Sequence, residues 1–347
     1  MTATDSKVRI GLAGFGLSGQ GLISPFLKTD EFDVRAVLSS RTNDVRKVWP
    51  GARVVKTFDA LLTDDIDLII ISTPSHLHFE QAMMALEAGK AVMTEKPLAL
   101  SANECATLVR KADETGNQLT VFQNRRWDSD FLTLRKTIKE GRIGRPIRFI
   151  SSWHRHRMDV RDRWRERPGP GAGVLLDLGS HLIDQALELF GAPEWVQADL
   201  WNGRAPEMDA VEDAFEVTLG YRDMRAILMC STQAAGPSRE IRLDGTAASL
   251  VMSGMDPQED QLRSGISPSA PGFGVSDSRL AARLISPAGT ETPMPLEDGN
   301  WRALFDGLSR MVRESTLPPV DPQGALLMSR VIDAARESNR TGRRVQF

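Results

Sequence analysis

Short apolar segments alternate with amphipathic stretches over the first third of the chain. The apolar segments have the length of buried β-strands, and the stretches between them have the spacing of helices. Alternating elements of this kind predict a doubly wound parallel sheet with helices on its faces. The predicted strands are Lys7–Ala13, Phe32–Ser39, Val54–Val55, Asp67–Ser72, Ala91–Thr94 and Gln118–Val121.

Beyond Gln123 the pattern changes, because longer β-like runs replace most of the helical crossovers. This order predicts a mainly antiparallel sheet with helices on one face, so the fold class is α/β followed by α+β. The predicted domains are 1–123 and 124–347. The predicted strands are Pro146–Ser152, Trp195–Asn202, Ala214–Tyr221, Arg225–Ser231, Glu240–Leu243, Ser249–Met252 and a final Arg343–Phe347, and the predicted helices are Ser129–Glu140, Trp301–Glu314 and Pro322–Ser338.

One segment of the second domain has no clear period. Residues Ser253–Ser276 are rich in Gly, Pro and Ser, which is typical of irregular structure. We expect a long excursion there, either an arm at an interface or a lid.

Composition and charge narrow the class of protein. The 347 residues are 41% hydrophobic and 26% charged, with a net charge of −3, which is typical of a globular protein and argues against a nucleic-acid surface over the whole molecule. Two distant cysteines, Cys105 and Cys230, fit a reducing compartment. No apolar run reaches the roughly 20 residues of a membrane helix. We therefore expect a cytoplasmic protein with neither nucleic-acid nor membrane partners.

A glycine-rich turn follows the first predicted strand. Gly14-Phe15-Gly16-Leu17-Ser18-Gly19 has the spacing G-x-G-x-x-G between a strand and a helix. In that context the first glycine allows a tight turn, the second lets the backbone approach a pyrophosphate, and the third permits close helix packing. The motif predicts a dinucleotide site, with free N–H groups of the helix N-terminus facing the phosphates.

The turn after the second strand bears on the choice of dinucleotide. An acidic residue there would bond the ribose 2′-hydroxyl of NAD, but the chain has Ser39, Ser40 and Arg41 instead. A guanidinium without a neighbouring carboxylate favours a 2′-phosphate. We therefore expect NADP (NADPH) to be preferred, with NAD as the alternative.

Two further strands end in polar turns that the topology would place beside the same ligand. Thr73-Pro74 follows one of them, and His78 opens the next helix, where it is either a cofactor contact or an ordinary helix-opening polar residue. Glu95-Lys96-Pro97 follows the other, and Pro97 cannot continue the strand. A partly desolvated lysine at this edge could exchange protons with a substrate hydroxyl, so Lys96 is a catalytic candidate.

A second candidate group lies in the later domain. Asp177, His181 and Asp184 are spaced i, i+4 and i+7, which places them on one stripe of a helix. A carboxylate one turn from an imidazole can orient the ring and stabilise its charged form, as a general base requires. The sequence therefore indicates His181 as a base and Asp177 as its partner.

The loop between these elements is basic and contains tryptophans. A nucleic-acid patch is one interpretation of Trp153–Arg165, but acids alternate with the bases. We prefer a loop at the rim of a substrate pocket, whose indoles cover an apolar sugar face. The pairs His76/His78 and His154/His156 suggest a metal, yet neither has a Cys or carboxylate at ligand spacing, so we expect none.

Several of these motifs together resemble one enzyme family. Gly14-Phe15-Gly16, Thr73-Pro74, Glu95-Lys96-Pro97 and Asp177-Leu178-Gly179-Ser180-His181 are similar to the Gfo/Idh/MocA family of NAD(P)-dependent oxidoreductases over essentially the whole chain. The branch that it resembles most contains NADP-dependent scyllo-inositol dehydrogenases, through the segments Asn124–Phe131, Arg161–Glu166, Leu182–Gln185 and Asp256–Glu259.

The resemblance implies a Rossmann domain followed by an open-faced mixed sheet that packs on another subunit, giving a homodimer or homotetramer. It implies a cis Lys96-Pro97 bond and a catalytic set of Lys96, Asp177 and His181. The residues expected at the cofactor are Gly14, Phe15, Gly16, Leu17, Ser18, Ser39, Ser40, Arg41, Thr73, Pro74, His78, Glu95, Lys96, Pro97 and Asn124. Those expected at the substrate are Lys96, Arg126, Trp127, Trp153, Arg163, Trp164, Asp177 and His181.

The expected function is hydride transfer between nicotinamide and a secondary alcohol or ketone of a cyclic polyol or sugar, with an inositol as the first candidate. Two other functions remain open on the same fold. A non-catalytic regulatory protein could sense the dinucleotide, although intact Lys96, Asp177 and His181 argue against it. A redox-assisted glycosidase could use the same cofactor without net oxidation.

Overall fold

The computed structural model of the protein describes residues 7–204, 211–236, 238–277 and 279–347. Its residues form two compact units, which are described separately. The first unit runs through Asn124 and includes Glu259–Phe273 and Trp301–Leu326; the second contains Arg125–Gln258, Gly274–Asn300 and Leu327–Phe347. The single boundary placed at 123/124 stays a prediction.

The first unit is built on a six-stranded parallel sheet. Its order β3-β2-β1-β4-β5-β6 reverses between β1 and β4, which confirms the doubly wound topology. β4 is buried along its whole length, as expected for a parallel strand covered on both faces. The strands are β1 (Val8–Ala13), β2 (Phe32–Leu38), β3 (Arg53–Val55), β4 (Leu68–Ile71), β5 (Ala91–Glu95) and β6 (Leu119–Phe122).

Helices of the first unit begin and end where local chemistry predicts. Ser101 and Glu104 form a reciprocal capping box at the start of α4, and Gly116 ends that helix in the left-handed conformation. The rings of Phe26 and Phe305 stack with centroids 4.6 Å apart and fix α8 in the core. The helices are α1 (Ser24–Leu27), α2 (Thr42–Val48), α3 (His78–Glu87), α4 (Ala102–Thr115), α7 (Gln258–Arg263) and α8 (Arg302–Glu314).

The second unit contains a nine-stranded mixed sheet in the order β14-β13-β12-β11-β7-β10-β9-β8-β15. Among the described strands of this sheet, only β7 and β10 pair in parallel, so the expectation of a mainly antiparallel sheet is confirmed. The strands are β7 (Pro146–Trp153), β8 (Trp195–Trp201), β9 (Ala214–Gly220), β10 (Arg225–Ser231), β11 (Arg239–Gly245), β12 (Ser249–Ser253), β13 (Ala281–Ile285), β14 (Glu291–Pro293) and β15 (Val345–Gln346).

One face of this sheet is well covered and the other is not. Along β10 and β12, buried residues alternate with half-buried ones such as Ile227, Met229 and Val251. The covering helices include α5 (Ser129–Lys139) and α6 (Ser180–Phe190), while α9 (Pro322–Thr341) spans the end of the chain. The half-buried face matches the expected open face, and the packing of a second copy on it stays a prediction.

The structure differs from the sequence-based expectations at three places. β13 and β14 were not predicted, because Ala281–Ile285 begins with three small or polar residues and has only two large apolar ones, and Glu291–Pro293 is exposed throughout. The expected irregular excursion contains a short helix, α7, and α9 runs three residues past Ser338. Within the described residues, no helix combines the length and apolar character needed to cross a membrane.

Candidate functional site

Four turns meet at one edge of the parallel sheet. They follow β1, β2, β4 and β5, which are neighbours in the order β2-β1-β4-β5. Their carboxyl ends therefore lie side by side, around the point where the strand order reverses. Open α/β sheets bind their ligands in the crevice at such a point. The structure thus brings the glycine turn, the Ser39–Arg41 turn, Thr73-Pro74 and Lys96 to a single edge.

The glycine turn has the shape that a dinucleotide requires. Gly14 has φ +96°, and a Cβ there would lie 2.7 Å from the carbonyl oxygen of Ser72. A Cβ on Gly19 would collide with the carbonyl oxygen of Gly14. A Cβ on Gly16 would meet no described atom within 4 Å. Two glycines are therefore required by packing, while the middle one faces open space that a pyrophosphate can fill.

The helix after this turn differs from the expected α-helix. Leu17–Ile23 is a π-helical segment, in which the Ser24 amide donates to the Gly19 carbonyl five residues before it. Pro25 explains the wider winding, because its ring has no N–H and would crowd the carbonyl four residues earlier. The candidate Phe15 is 3% exposed, so its side chain belongs to the core and only its backbone faces the turn.

The turn after β2 carries two cations instead of the one that the sequence indicated. The exposed guanidinium of Arg41 has no carboxylate partner among the described residues, and its backbone N–H donates to Ser39 Oγ at 2.9 Å. Lys56 lies beside it, where Nζ donates to the Ser39 carbonyl at 3.0 Å and to Thr42 Oγ1 at 3.2 Å. The signal missed in the sequence is that Lys56 directly follows β3, the neighbour of β2.

His78 connects two of the turns. It opens α3, and its Nδ1 and Nε2 lie 2.8 Å and 2.9 Å from the carbonyl oxygens of Pro97 and Thr73. Carbonyl oxygens only accept hydrogen bonds, so the ring nitrogen that carries the proton donates to the carbonyl beside it. With 1% of its surface exposed, His78 has little surface left for a ligand. His78 therefore links the backbones of Thr73 and Pro97, and its place at the cofactor stays a prediction.

The Glu-Lys-Pro turn after β5 is joined to the glycine turn. Glu95 accepts hydrogen bonds from the Ser18 hydroxyl and, at 2.9 Å, from the Lys96 amide. The peptide bond between Lys96 and Pro97 is cis, which confirms the expectation from the family resemblance. Lys96 itself is half-buried, as a lysine that exchanges protons at a crevice requires.

In the second unit, β7 delivers Trp153 to the helix that carries His181. The two rings lie 5.9 Å apart between centroids, and both residues are buried, at 5% and 8% exposed. The guanidiniums of Arg125 and Arg155 lie 4.9 Å and 5.6 Å from the Trp153 ring, within cation–π range. Arg239 lies 5.7 Å from the same ring, so Trp153 packs against the candidate base and three guanidiniums.

Asp177 lies one turn before His181 and is shared by two arginines that the sequence analysis did not single out. Its carboxylate is 3.4 Å from Arg165 Nε and 4.0 Å from Arg155 Nη1. The expected α-helical stripe is modified, because Leu175–Gly179 winds as a π-helix and the α-helix α6 begins only at Ser180. Asp177 therefore lies on the π-helical turn and His181 on the first turn of α6.

The third member of that stripe has another partner. Asp184, 2% exposed, accepts two hydrogen bonds from Arg126 at 2.9 Å and 2.8 Å, and Glu188 binds the same guanidinium at 2.5 Å. Two carboxylates thus neutralise Arg126, whose role at the substrate stays a prediction.

The other substrate and cofactor candidates have partners of their own. The Trp127 carbonyl accepts hydrogen bonds from Gln258 and Asn300, and the Arg165 guanidinium lies 4.3 Å above the Trp164 ring. Asn124, at the end of the first unit, is buried.

A small cavity, partly open to solvent, lies beside Asp177 within the second unit. Arg163 was a sequence candidate, but most of the charged lining residues were not. Glu212 bonds the Leu175 amide at 3.2 Å and occupies the space where any side chain on Gly173 would lie. Burial raises the pKa of Glu212 above its usual value. The charged lining consists of Arg155, Arg157, Arg163, Arg165, Arg204, Glu166, Asp177 and Glu212.

Two family models match the chain. Residues 8–123 match the NAD-binding Rossmann fold of the oxidoreductase family GFO_IDH_MocA, and residues 135–347 match the C-terminal alpha/beta domain of that family. Together the two matches cover nearly the whole sequence.

Full-length relatives give the same result. The chain is 37% identical over 346 residues to the scyllo-inositol 2-dehydrogenase (NADP(+)) IolW of Bacillus subtilis, covering 98% of this chain and 96% of that protein. It is 35% identical to the uncharacterized oxidoreductase YdgJ of Escherichia coli, covering 96% of each. The solved structure of the oxidoreductase yvaA of Bacillus subtilis superposes with a TM-score of 0.93 at 36% identity and 99% coverage of both chains.

Proposed function

The chain belongs to the Gfo/Idh/MocA oxidoreductase family, and from that premise we propose that it is an NADP(H)-preferring dehydrogenase of a cyclic polyol or sugar. The family identifies an NAD(P)-binding enzyme that acts on CH–OH groups. The inositol-like substrate and the preference for NADP go beyond what the family identifies and are part of our proposal. They are supported by the NADP-dependent inositol relative and by the cations at the turn after β2.

The observation that carries the proposal is the edge of the parallel sheet. The open space at Gly16, the cations Arg41 and Lys56, and the half-buried Lys96 follow adjacent strands. These groups match the parts of a dinucleotide in order, with the 2′-phosphate at the cations, the pyrophosphate at Gly16 and the nicotinamide near Lys96. When bound, the nicotinamide accepts or donates the hydride.

The protein's own groups handle the proton and the substrate oxygen. In alcohol oxidation, His181 takes the proton of the hydroxyl group and Lys96 holds the same oxygen. Asp177 stabilises the charged imidazole from one turn away, and its own charge is balanced by Arg155 and Arg165. In ketone reduction the proton returns along the same route.

A panel of polyols assayed at the nicotinamide absorbance band tests the function. We expect NADP+ reduction with scyllo-inositol or a related cyclic polyol, and the reverse signal when the keto form is added to NADPH. A regulatory protein would bind NADPH without turnover of any compound. A redox-assisted glycosidase would cleave a glycoside with no net change in absorbance. Either of the last two results contradicts the dehydrogenase proposal.

The cofactor preference depends on the cations after β2. In the double variant Arg41→Gln/Lys56→Gln, we expect the preference for NADPH over NADH to fall by more than about 100-fold, because each charged hydrogen bond to the 2′-phosphate contributes roughly 1.5–3 kcal/mol. The dissociation constants of both nucleotides, measured by calorimetry without substrate, give this ratio directly.

Lys47→Gln is the matched control. Lys47 is exposed on α2 and pairs only loosely with Asp44, at 3.8 Å, so its loss leaves the ratio unchanged. An unchanged ratio in the Arg41/Lys56 variant as well would exclude these cations as the determinants of nucleotide choice.

A further inference from the structure

The cavity beside Asp177 contains an excess of positive charge. Five arginines and three acidic residues line it. Glu166 is shared by Arg163 at 2.6 Å and Arg204 at 3.0 Å, and Arg204 also bonds Asp213 at 2.8 Å. The charges of Arg163 and Arg204 are therefore neutralised by ion pairs, and the two side chains form part of the cavity wall.

The remaining arginines are poorly compensated. Asp177 is the shared partner of Arg155 and Arg165, and at 4.0 Å and 3.4 Å both contacts exceed the 2.7–2.9 Å that is usual for a charge-assisted hydrogen bond. Glu212 forms no salt bridge with these arginines within the part of the chain that the structure describes, and its carboxylate accepts a hydrogen bond from the Leu175 amide at 3.2 Å. The cavity can therefore accept an anion without displacing a strong internal ion pair.

Among the arginines of this cavity, Arg157 has the least compensation of its charge. The structure shows no carboxylate within bonding distance of its guanidinium among the described residues, and its chain is held by a bond from its amide to the Thr232 carbonyl at 2.7 Å. Burial and the like charges of Arg155, Arg161 and Arg163 hold the pKa of Arg157 below its usual value. An anion bound beside Arg157 would attract its guanidinium and so offset both the burial and the repulsion from the neighbouring arginines.

We propose that this cavity binds an oxyanion carried by the substrate, so that among polyols and sugars the enzyme prefers those that bear a carboxylate or a phosphate. The planar guanidinium of Arg157 offers two parallel N–H donors to such a group, assisted by Arg155 and Arg165. The cavity is partly open to solvent, so only the oxyanion of the substrate needs to enter it. The inference rests on the proposed dehydrogenase function and narrows its substrate class.

Direct binding tests the site independently of turnover. D-Glucuronate, D-glucose 6-phosphate and neutral D-glucose are titrated calorimetrically into the full-length protein, and into Arg157→Gln, Arg157→Lys and Arg161→Gln. Arg161 is exposed on the same loop and is not part of the cavity lining. We expect at least one anion to bind at least 10-fold more tightly than glucose, and this preference to be lost in Arg157→Gln. Arg157→Lys retains part of it, and Arg161→Gln is unchanged.

The outcomes separate the two proposals. Preferential anion binding that depends on Arg157 supports the inference even if the panel reveals no turnover, and the glucuronate and phosphate titrations distinguish the two anions. Equal affinity of the wild type for charged and neutral sugars overturns it, and so does an anion preference that survives in Arg157→Gln. If the protein oxidises neutral inositols but binds neither anion, the dehydrogenase proposal is supported and the proposal of an anionic substrate is excluded.

Discussion

Replacing Lys96 with methionine is expected to abolish turnover while leaving NADPH binding nearly intact. Methionine keeps the length and apolar stem of lysine but cannot hold the substrate oxygen or exchange a proton. General acid–base groups contribute about 10²- to 10⁴-fold, so we expect kcat to fall at least 1,000-fold. The dissociation constant of NADPH, measured by fluorescence, is expected to change less than threefold.

Lys90→Met is the matched contrast, because Lys90 precedes β5 and Lys96 follows it. The Lys90 ammonium donates to the carbonyl oxygens of Thr63 and Ile66 at 2.7 Å and 2.9 Å and is 8% exposed. Its loss leaves buried acceptors unsatisfied, so Tm falls by several degrees while kcat is unchanged. A Lys96→Met variant that retains most of its kcat would remove Lys96 from the mechanism.

His181→Gln is expected to lower kcat for alcohol oxidation by 100-fold or more. Glutamine can still bond the substrate hydroxyl but cannot accept its proton. Wild-type oxidation is expected to decline toward acid pH, where imidazole is protonated, and the variant loses this dependence. A purely structural role of His181 would lower Tm and leave the shape of the pH profile unchanged, so the profile separates the two explanations.

The double variant Lys96→Met/His181→Gln tests whether both groups serve one hydroxyl. Groups that act as a unit show strongly non-additive losses. We expect the loss in the double variant to be much smaller than the product of the two single losses. A fully multiplicative loss would show that the two residues act independently, and the shared oxygen in the proposed mechanism would be wrong.

Much of the first unit could be predicted from sequence because its signals are local. The strand-glycine-helix segment, the capping box at Ser101 and the apolar runs of the parallel strands each specify their element within about ten residues. Where prediction failed, a competing local effect decided the structure. Pro25 widened the helix after the glycine turn, and the exposed strand β14 carried no apolar alternation.

The sites were less predictable, because contacts between distant residues define them. Lys56 reaches the turn at Ser39 from the next strand, and Arg204 and Glu212 reach the loop at Arg155–Arg165 from more than 30 residues away. In the sequence, the basic loop Trp153–Arg165 indicated only a polar rim around a substrate pocket. The tertiary structure shows that Glu166 is shared by Arg163 and the distant Arg204, while Arg157 has no carboxylate partner among the residues that the structure describes.

The amino-acid sequence alone determined the two kinds of sheet, the dinucleotide turn and the identity of Lys96 and His181 as chemical candidates, because periodicity and short motifs encode them directly. The tertiary structure decided which charges are neutralised and which remain available. That outcome depends on distances of 3–4 Å between residues far apart in the chain, and electrostatic interactions change steeply over such distances.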